Sequence, residues 1–198
     1  MVVEMLKKRY APCEPIVLND MKWLKLGPDA KRQMFKRLSD KGILNRYING
    51  VYYFPGKERE PSLEKVLKRM YLEDDKESYG YYAGCLLGKK IGVTKKVDEY
   101  PIIVTNKENS RGRFRQIGEK KVYLRKPYIK INRDNVKAAA VLDFIREWEL
   151  YSDLSEESTF SYIRKYMKKE KISRQIFNEV AIGYPSRVSA MILKHGLM

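Results

Sequence analysis

The chain has 198 residues, of which 41 are Lys or Arg and 25 are Asp or Glu, so its formal net charge is +16. Such an excess implies a polyanionic partner, with nucleic acid as the first candidate, although ribosomal association or general RNA binding would need the same charge. The chain has a single histidine, His195, and this scarcity excludes most histidine-based catalysis and most zinc arrangements.

The N-terminal third has the pattern of two helices joined by a tight turn. Asn19 can cap a first helix that ends at Gly27. The apolar residues of this predicted helix are Met21, Trp23, Leu24 and Leu26. Gly27 then makes the turn, and Pro28 suits the first position of a second helix that runs to about Lys41 and stops at Gly42.

The second predicted helix has an apolar side and a polar side. At about 100° per residue, the apolar side carries Ala30, Met34, Phe35 and Leu38, and the polar side carries Asp29, Arg32, Gln33 and Lys36. Arg and Gln can form paired hydrogen bonds with base edges, so we predict base contacts from Arg32 and Gln33. Phosphate contacts are predicted for Lys36 and Arg37. Lys31 is a weaker candidate, because it points toward the apolar side.

Residues 43–54 predict two β-strands joined by Asn49-Gly50. Asn-Gly is the strongest short hairpin signal, because both central residues of a type I′ turn need positive φ. Arg46 lies on the first strand of this hairpin, which would form the wing of a DNA-binding domain, and would contact DNA from there. Helix, turn, helix and hairpin together predict a winged helix-turn-helix DNA-binding domain over residues 1–57. The alternative is that the basic helix face is only a solvated surface.

A charged linker leads to a second domain, predicted over residues 61–198 as a mixed α/β domain with helical flanks, which makes the whole chain α+β. The predicted elements begin with a helix capped by Ser62, a short helix from Ser78 to Leu87 and strands at 102–104, 113–117 and 122–124. Helices follow that begin near 134, at 173 and at 185, and between the first two of these a further helical stretch places Phe160, Ile163 and Met167 inward. For Tyr52, Tyr53, Tyr81 and Tyr82, we favour buried rings over stacking on unpaired bases.

A second basic concentration lies well away from the first. Its candidate nucleic-acid contacts are Arg111, Arg113, Arg115, Lys120 and Lys121. The three arginines alternate, so a strand would project all three to one side, although Ile117 falls on that side too. The region is either a second surface for DNA or RNA, or a solvated sheet face.

A metal-dependent nuclease would need two carboxylates around Mg²⁺ and a lysine, and Asp98 with Glu119-Lys120-Lys121 offers those residue types. However, Glu119 follows Gly118 in a predicted hairpin turn, so an ordinary turn is favoured. We therefore predict no catalytic residue, no metal, no cofactor and no enzymatic activity.

The chain is also expected to be cytoplasmic and to have no membrane partner. No stretch approaches the length of a membrane span, and the N-terminus lacks a secretory leader. Cys13 and Cys85 lie outside any CxxC spacing, which predicts free thiols in a reducing compartment.

Seven short segments of the chain form a pattern that extends beyond the N-terminal third. The segments are Arg32-Gln33-Met34-Phe35-Lys36-Arg37-Leu38, Lys41-Gly42-Ile43, Gly50-Val51-Tyr52-Tyr53-Phe54-Pro55, Gly80-Tyr81-Tyr82-Ala83, Leu87-Gly88, Ile103-Val104-Thr105-Asn106 and Leu124-Arg125-Lys126-Pro127. These segments resemble the AbiEi-type antitoxins, which are regulators of type IV toxin–antitoxin systems. They cover most of the chain up to the helix around Leu142. The pairing of a winged helix with Gly-Tyr-Tyr-Ala and Ile-Val-Thr-Asn is more specific than the winged helix alone.

This resemblance implies an N-terminal domain that binds inverted repeats in double-stranded operator DNA and represses its own operon. It also implies a second domain that counteracts a nucleotidyltransferase-like toxin. In type IV systems the antitoxin is thought to act without a stable complex with the toxin. The family pattern carries no catalytic residues. A stand-alone winged-helix transcriptional regulator is the alternative, and a Mg-dependent nuclease is a remote one.

Overall fold

The computed structural model describes residues 2–57 and 59–197, which adopt an α+β fold with eight α-helices and two small sheets. The helices are α1 (Val2–Arg9), α2 (Pro28–Asp40), α3 (Leu63–Leu67), α4 (Gly84–Ile91), α5 (Val136–Tyr151), α6 (Glu156–Lys169), α7 (Arg174–Ala181) and α8 (Ser186–Lys194). The strands are β1 (Ile16–Val17), β2 (Asn45–Ile48), β3 (Val51–Tyr53), β4 (Gly80–Tyr82), β5 (Ile102–Thr105), β6 (Arg113–Ile117) and β7 (Lys120–Arg125).

The chain divides into two compact units, residues 1–70 and 71–198. The division therefore falls after α3, later in the chain than the predicted linker between residues 57 and 61. Ser62 caps α3 as predicted, since its hydroxyl accepts a hydrogen bond from the backbone N–H of Lys65 at 3.4 Å.

The first unit is built around a three-stranded antiparallel sheet with the order β1-β3-β2. Strand β1 joins the predicted hairpin through the pair Ile16↔Tyr52. The fully buried side chains of Phe35 from α2 and Leu6 from α1 belong to one apolar cluster, and the Phe35 ring lies 5.2 Å from that of Tyr52. Neither α1 nor β1 was predicted from the sequence.

The predicted first helix, between Asn19 and Gly27, is wrong. The chain forms one 3-10 turn at Leu18–Asp20 and then irregular turns, and Met21 leaves the helical region with φ −84° and ψ 53°. Met21 and Leu24 are nevertheless buried and belong to the same apolar cluster as Leu6 and Phe35. A helix this short is marginal, since its first turn is costly to nucleate.

The second predicted helix is confirmed as α2, with Pro28 at its first position and Gly42, at φ +68°, just after its end. Ala30 is an exception to the predicted apolar side, because it is exposed. The hairpin is also confirmed, with Ile48 paired to Val51. Its turn is not type I′: Cys13 and Lys171 are the non-glycine residues with positive φ in the described chain, and Asn49 is not among them.

The second unit contains a mixed four-stranded sheet with the order β4-β5-β7-β6, in which β5 and β7 are parallel. All three strands predicted between residues 102 and 124 are confirmed. Helix α5 is central, because every residue from Ala138 to Ile145 is buried, as expected of a helix surrounded by protein. The predicted inward residues of α6, Phe160, Ile163 and Met167, are buried as well.

The predicted helix from Ser78 to Leu87 is wrong in its first half. Gly80–Tyr82 is a strand that pairs with β5, because aromatic side chains fit a half-buried pleated surface, and Tyr81 lies opposite Val104. Helix α4 begins only at Gly84 and ends at Ile91, and Gly92 follows it with φ +93°. Tyr52, Tyr53 and Tyr81 are buried, as predicted, whereas Tyr82 is half-buried.

No helix in the described residues is long and apolar enough to cross a membrane.

Candidate functional site

The outer face of α2 presents the residues predicted to contact DNA. The side chains of Gln33, Lys36 and Arg37 are exposed. Arg32 is exposed too, and its Nη1 donates a hydrogen bond to Asp29 Oδ1 at 2.9 Å. An exposed ion pair of this kind is worth about 1 kcal/mol or less, so Arg32 can exchange Asp29 for another acceptor at little cost.

Lys31 has a different environment from its neighbours. Its side chain is half-buried, and Nζ donates a hydrogen bond to the backbone carbonyl of Met21 at 2.7 Å. This bond satisfies a carbonyl in the irregular segment that replaces the predicted first helix. A phosphate contact from Lys31 would require the bond to break. The sequence pattern did not indicate this partner, because it lies ten residues earlier on a non-helical backbone.

The start of α2 and the tip of the hairpin share one concave surface. A cavity of about 340 Å³ is lined by Leu18, Asn19, Pro28, Lys31, Arg32, Asn49 and Gly50. The hairpin tip is held there because Leu18 N–H donates to the Gly50 carbonyl at 3.0 Å. Arg46 lies further along β2, exposed and opposite Tyr52. The predicted helix and wing contacts are therefore brought to the same unit.

The second basic region does not form the single strand face that the alternation of its arginines predicted. Arg111 precedes β6, and Arg113 is tied down by an ion pair from its Nε to Glu108 Oε2 at 2.6 Å. Burial opposes ionisation of Glu108, but hydrogen bonds from Ser110, Arg113 and Asn109 outweigh burial and lower its pKa. Arg115 remains exposed on β6.

The other two residues of that region, Lys120 and Lys121, are exposed at the start of β7. They pair with Ile117 and Gln116 of β6, the outer strand of the sheet. The basic side chains are thus spread over a loop, a structural ion pair and a sheet edge.

A buried cluster of charged residues links β7 to α5. Arg125 donates from Nη1 and Nη2 to the two carboxylate oxygens of Glu147, each at 2.8 Å, and from Nη2 to Asp143 Oδ2 at 2.5 Å. Arg146 Nη2 lies 3.3 Å from Asp143 Oδ1 and also donates to Glu147. Asp143 is only 2% exposed.

The two carboxylates of this cluster respond oppositely to their surroundings. Burial raises the pKa of Asp143 in spite of the positive charges of Arg125 and Arg146. Burial also opposes ionisation of Glu147, but its hydrogen bonds and charge interactions with the same two arginines prevail and lower its pKa. The cluster was not predicted from the sequence. The signal that could have indicated it is the single Asp within the apolar run from Ala138 to Ile145.

The residues considered for a nuclease site have other roles or positions. Asp98 Oδ2 accepts hydrogen bonds from the backbone N–H groups of Cys85 at 2.7 Å and Leu86 at 3.3 Å, and so caps the start of α4. Glu119 is exposed in the turn between β6 and β7. No group of three or more His, Cys, Asp or Glu residues in the described chain is arranged to hold a metal ion.

Both cysteines are buried, and neither forms a disulfide within the described residues. Burial, followed by the hydrogen bond and charge of Asp98, raises the pKa of Cys85 to about 11. A thiol with so high a pKa is a poor nucleophile at neutral pH.

No protein-family model matches this chain, and no curated protein sequence is significantly similar to it. The resemblance to the AbiEi-type antitoxins therefore remains a hypothesis.

Proposed function

We propose that this protein is a sequence-specific DNA-binding repressor of its own operon and the antitoxin of a type IV toxin–antitoxin system. The observation that carries the DNA-binding part is the outer face of α2. There, Arg32, Gln33, Lys36 and Arg37 are all exposed at the surface of a chain with a net charge of +16.

The chain topology of the first unit supports a winged-helix assignment. Helix, strand, short helical turn, helix and hairpin follow one another, and β1 adds a third strand to the hairpin. Winged helices combine a three-stranded sheet with a recognition helix in this way. The 3-10 turn at Leu18–Asp20 stands where the first helix of the helix-turn-helix was predicted, so α2 is the helix proposed to read DNA.

The proposed mechanism is insertion of α2 into the major groove, whose width of about 12 Å matches the diameter of a helix with its side chains. Arg32 would leave Asp29 and form paired hydrogen bonds with a guanine edge, and Gln33 would read a neighbouring base. Lys36 and Arg37 would neutralise phosphates, while the hairpin with Arg46 would follow the backbone.

The Arg32→Ala variant tests this mechanism. Its binding to the upstream region of its own operon should weaken by about 1–3 kcal/mol, or roughly fivefold to more than a hundredfold, with little change on random DNA. Arg174→Ala is a matched control, because it removes the same charge from an exposed position on α7 in the other unit. Equal losses for the two variants, or equal losses on both DNAs, would contradict base reading by Arg32.

The antitoxin part of the proposal rests on the resemblance to the AbiEi-type family. On this proposal the protein is not an enzyme, needs no cofactor, acts in the cytoplasm and counteracts a nucleotidyltransferase-like toxin without a stable complex. Co-expression with the product of the neighbouring gene tests it: growth should be restored by the intact chain and by Arg32→Ala alike. Specific DNA binding without rescue would leave a stand-alone transcriptional regulator. Mg²⁺-dependent DNA cleavage that is lost in Glu119→Ala would indicate a nuclease.

A further inference from the structure

A cavity lies in the second unit, beside the buried charged cluster. It has a volume of about 650 Å³, within the range of roughly 300–1,000 Å³ that is common for small-molecule sites. Its lining residues are Arg111, Arg125, Lys126, Pro127, Tyr128, Asp143, Arg146 and Glu147. The proposed contact between α2 and DNA uses none of them, and only Arg111 belongs to the second basic region.

The lining carries more positive than negative charge. Four cationic side chains face two carboxylates, and both carboxylates are engaged by Arg125 and Arg146. Arg111 and Lys126 are exposed, and no ion pair joins either side chain to another described residue. The cavity therefore has two cations left for an incoming anion, in a partly enclosed place where charge interactions are stronger than in water.

The buried cluster fixes the position of one further cation. Burying an ion network costs several kcal/mol per ion, and an apolar replacement is often at least as stable. A contribution to stability therefore does not explain why the cluster is charged. Asp143 and Glu147 instead hold the guanidinium groups of Arg125 and Arg146 in a fixed orientation, with Arg146 at the cavity wall.

The backbone is distorted at the same place. Glu147 interrupts α5 with φ −124° and ψ 15°, and neither proline nor glycine is present nearby to cause the kink. At this kink, both oxygens of Glu147 accept hydrogen bonds from Arg125. The kink in α5 thus coincides with the carboxylate that holds Arg125.

An aromatic ring completes the cavity wall. Tyr128 is 49% exposed, with the guanidinium of Arg146 5.3 Å from its ring centroid and the ring of Tyr184 at 5.0 Å. An exposed, flat aromatic surface beside several cations suits a ligand that has both an aromatic ring and an anionic group.

We propose that this cavity binds a nucleoside phosphate, with the phosphate held by Arg111, Lys126 and Arg146 and the base stacked on Tyr128. A free mononucleotide fits the cavity volume, and its phosphate and base match the two kinds of surface that the cavity offers. The lining residues belong to the second unit and α2 belongs to the first, so this proposal does not depend on the proposed DNA binding.

Calorimetric titration of the full chain with the four nucleoside monophosphates tests this site, with inorganic phosphate as a second probe. At least one mononucleotide should bind at least about tenfold more tightly than phosphate, because its base stacks on the aromatic ring and phosphate has no base to stack. Tyr128→Ala should remove that difference. Arg111→Ala and Lys126→Ala should each weaken nucleotide binding by about tenfold or more, as expected for a lost hydrogen bond to a charged group.

Arg174→Ala is the matched control, since it removes an equal charge from an exposed position on α7 that does not line the cavity, and it should bind nucleotide like the unaltered chain. Circular dichroism of each variant checks that it is folded. Equal loss in the control, equal affinity for phosphate and mononucleotide, or no binding at all would overturn the proposal. So would binding of a short single-stranded oligonucleotide without binding of any mononucleotide.

Discussion

Replacing Arg125 with alanine should destabilise the second unit strongly. The Arg125 side chain is 12% exposed and donates hydrogen bonds to Glu147 and Asp143. Without Arg125, the buried Asp143 would keep only Arg146 at 3.3 Å in the cluster, and Glu147 would lose two hydrogen bonds. Breaking a buried ion pair from one side costs about 3–5 kcal/mol, because the remaining charge is left uncompensated.

Arg187→Ala provides the matched control. Arg187 pairs with Glu149 at 2.8 Å, the same distance as between Arg125 and Glu147. The side chains of Arg187 and Glu149 are, however, each 58% exposed. A solvent-exposed pair contributes about 0–1 kcal/mol, so this variant should remain close to the unaltered chain. Both variants remove an arginine from an ion pair, but Arg125 is buried and donates three hydrogen bonds, whereas Arg187 is exposed and donates one.

Urea denaturation at neutral pH measures both variants. The chain has two tryptophans, Trp23 in the first unit and Trp148 in the second. In a Trp23→Phe background, fluorescence therefore reports on the unit that contains Arg125. Similar losses of unfolding free energy for Arg125→Ala and Arg187→Ala would refute the argument that burial makes the cluster sensitive.

Three further predictions concern other parts of the molecule. Lys36→Ala should weaken binding to all DNA sequences alike, because one phosphate contact is lost. Titrations at several salt concentrations should show that the slope of log K against log salt concentration falls by about 1 in magnitude, and an unchanged slope would exclude that contact. Gly84→Ala should lower the unfolding free energy measured in urea more than Gly118→Ala does. Both glycines have positive φ, but only at Gly84 would a Cβ lie 2.8 Å from the Asp98 carboxylate that caps α4. Equal losses in the two variants would contradict this clash. Hydrogen bonds from Lys96 and Thr94 lower the pKa of Asp153 to about 2, so Asp153 stabilises the fold above its ordinary pKa and that contribution is lost as the pH falls through about 2. Asp153→Asn should flatten this part of the acid denaturation curve, and an unchanged curve would remove Asp153 as its cause.

Elements bounded by residues with strong local preferences were predicted well. Pro28 and Gly42 marked both ends of α2, and Asn49-Gly50 marked the hairpin, because proline and glycine act through the backbone at their own positions. The positions of Phe160 and Ile163 in the core also followed from simple helical spacing.

Elements that depend on contacts between distant segments were predicted poorly. The tyrosines of β4 have a helix-compatible spacing, and pairing with β5 more than twenty residues later decides their conformation. Helix α4 likewise depends on Asp98, which follows the helix in the sequence but accepts hydrogen bonds from backbone N–H groups in its first turn. The charged cluster brings Arg125 to residues 18 and 22 positions later, a distance over which local pattern carries no information.

The most direct test of the central claim is a gel-shift titration of the full chain against the upstream region of its own operon and a scrambled duplex, each at two salt concentrations. The proposed repressor should bind the upstream region in discrete steps at protein concentrations that leave the scrambled duplex free, and this preference should persist at the higher salt. Equal binding to both duplexes, falling equally with salt, would show that the charge of +16 provides only a general affinity for nucleic acid and would contradict the repressor assignment.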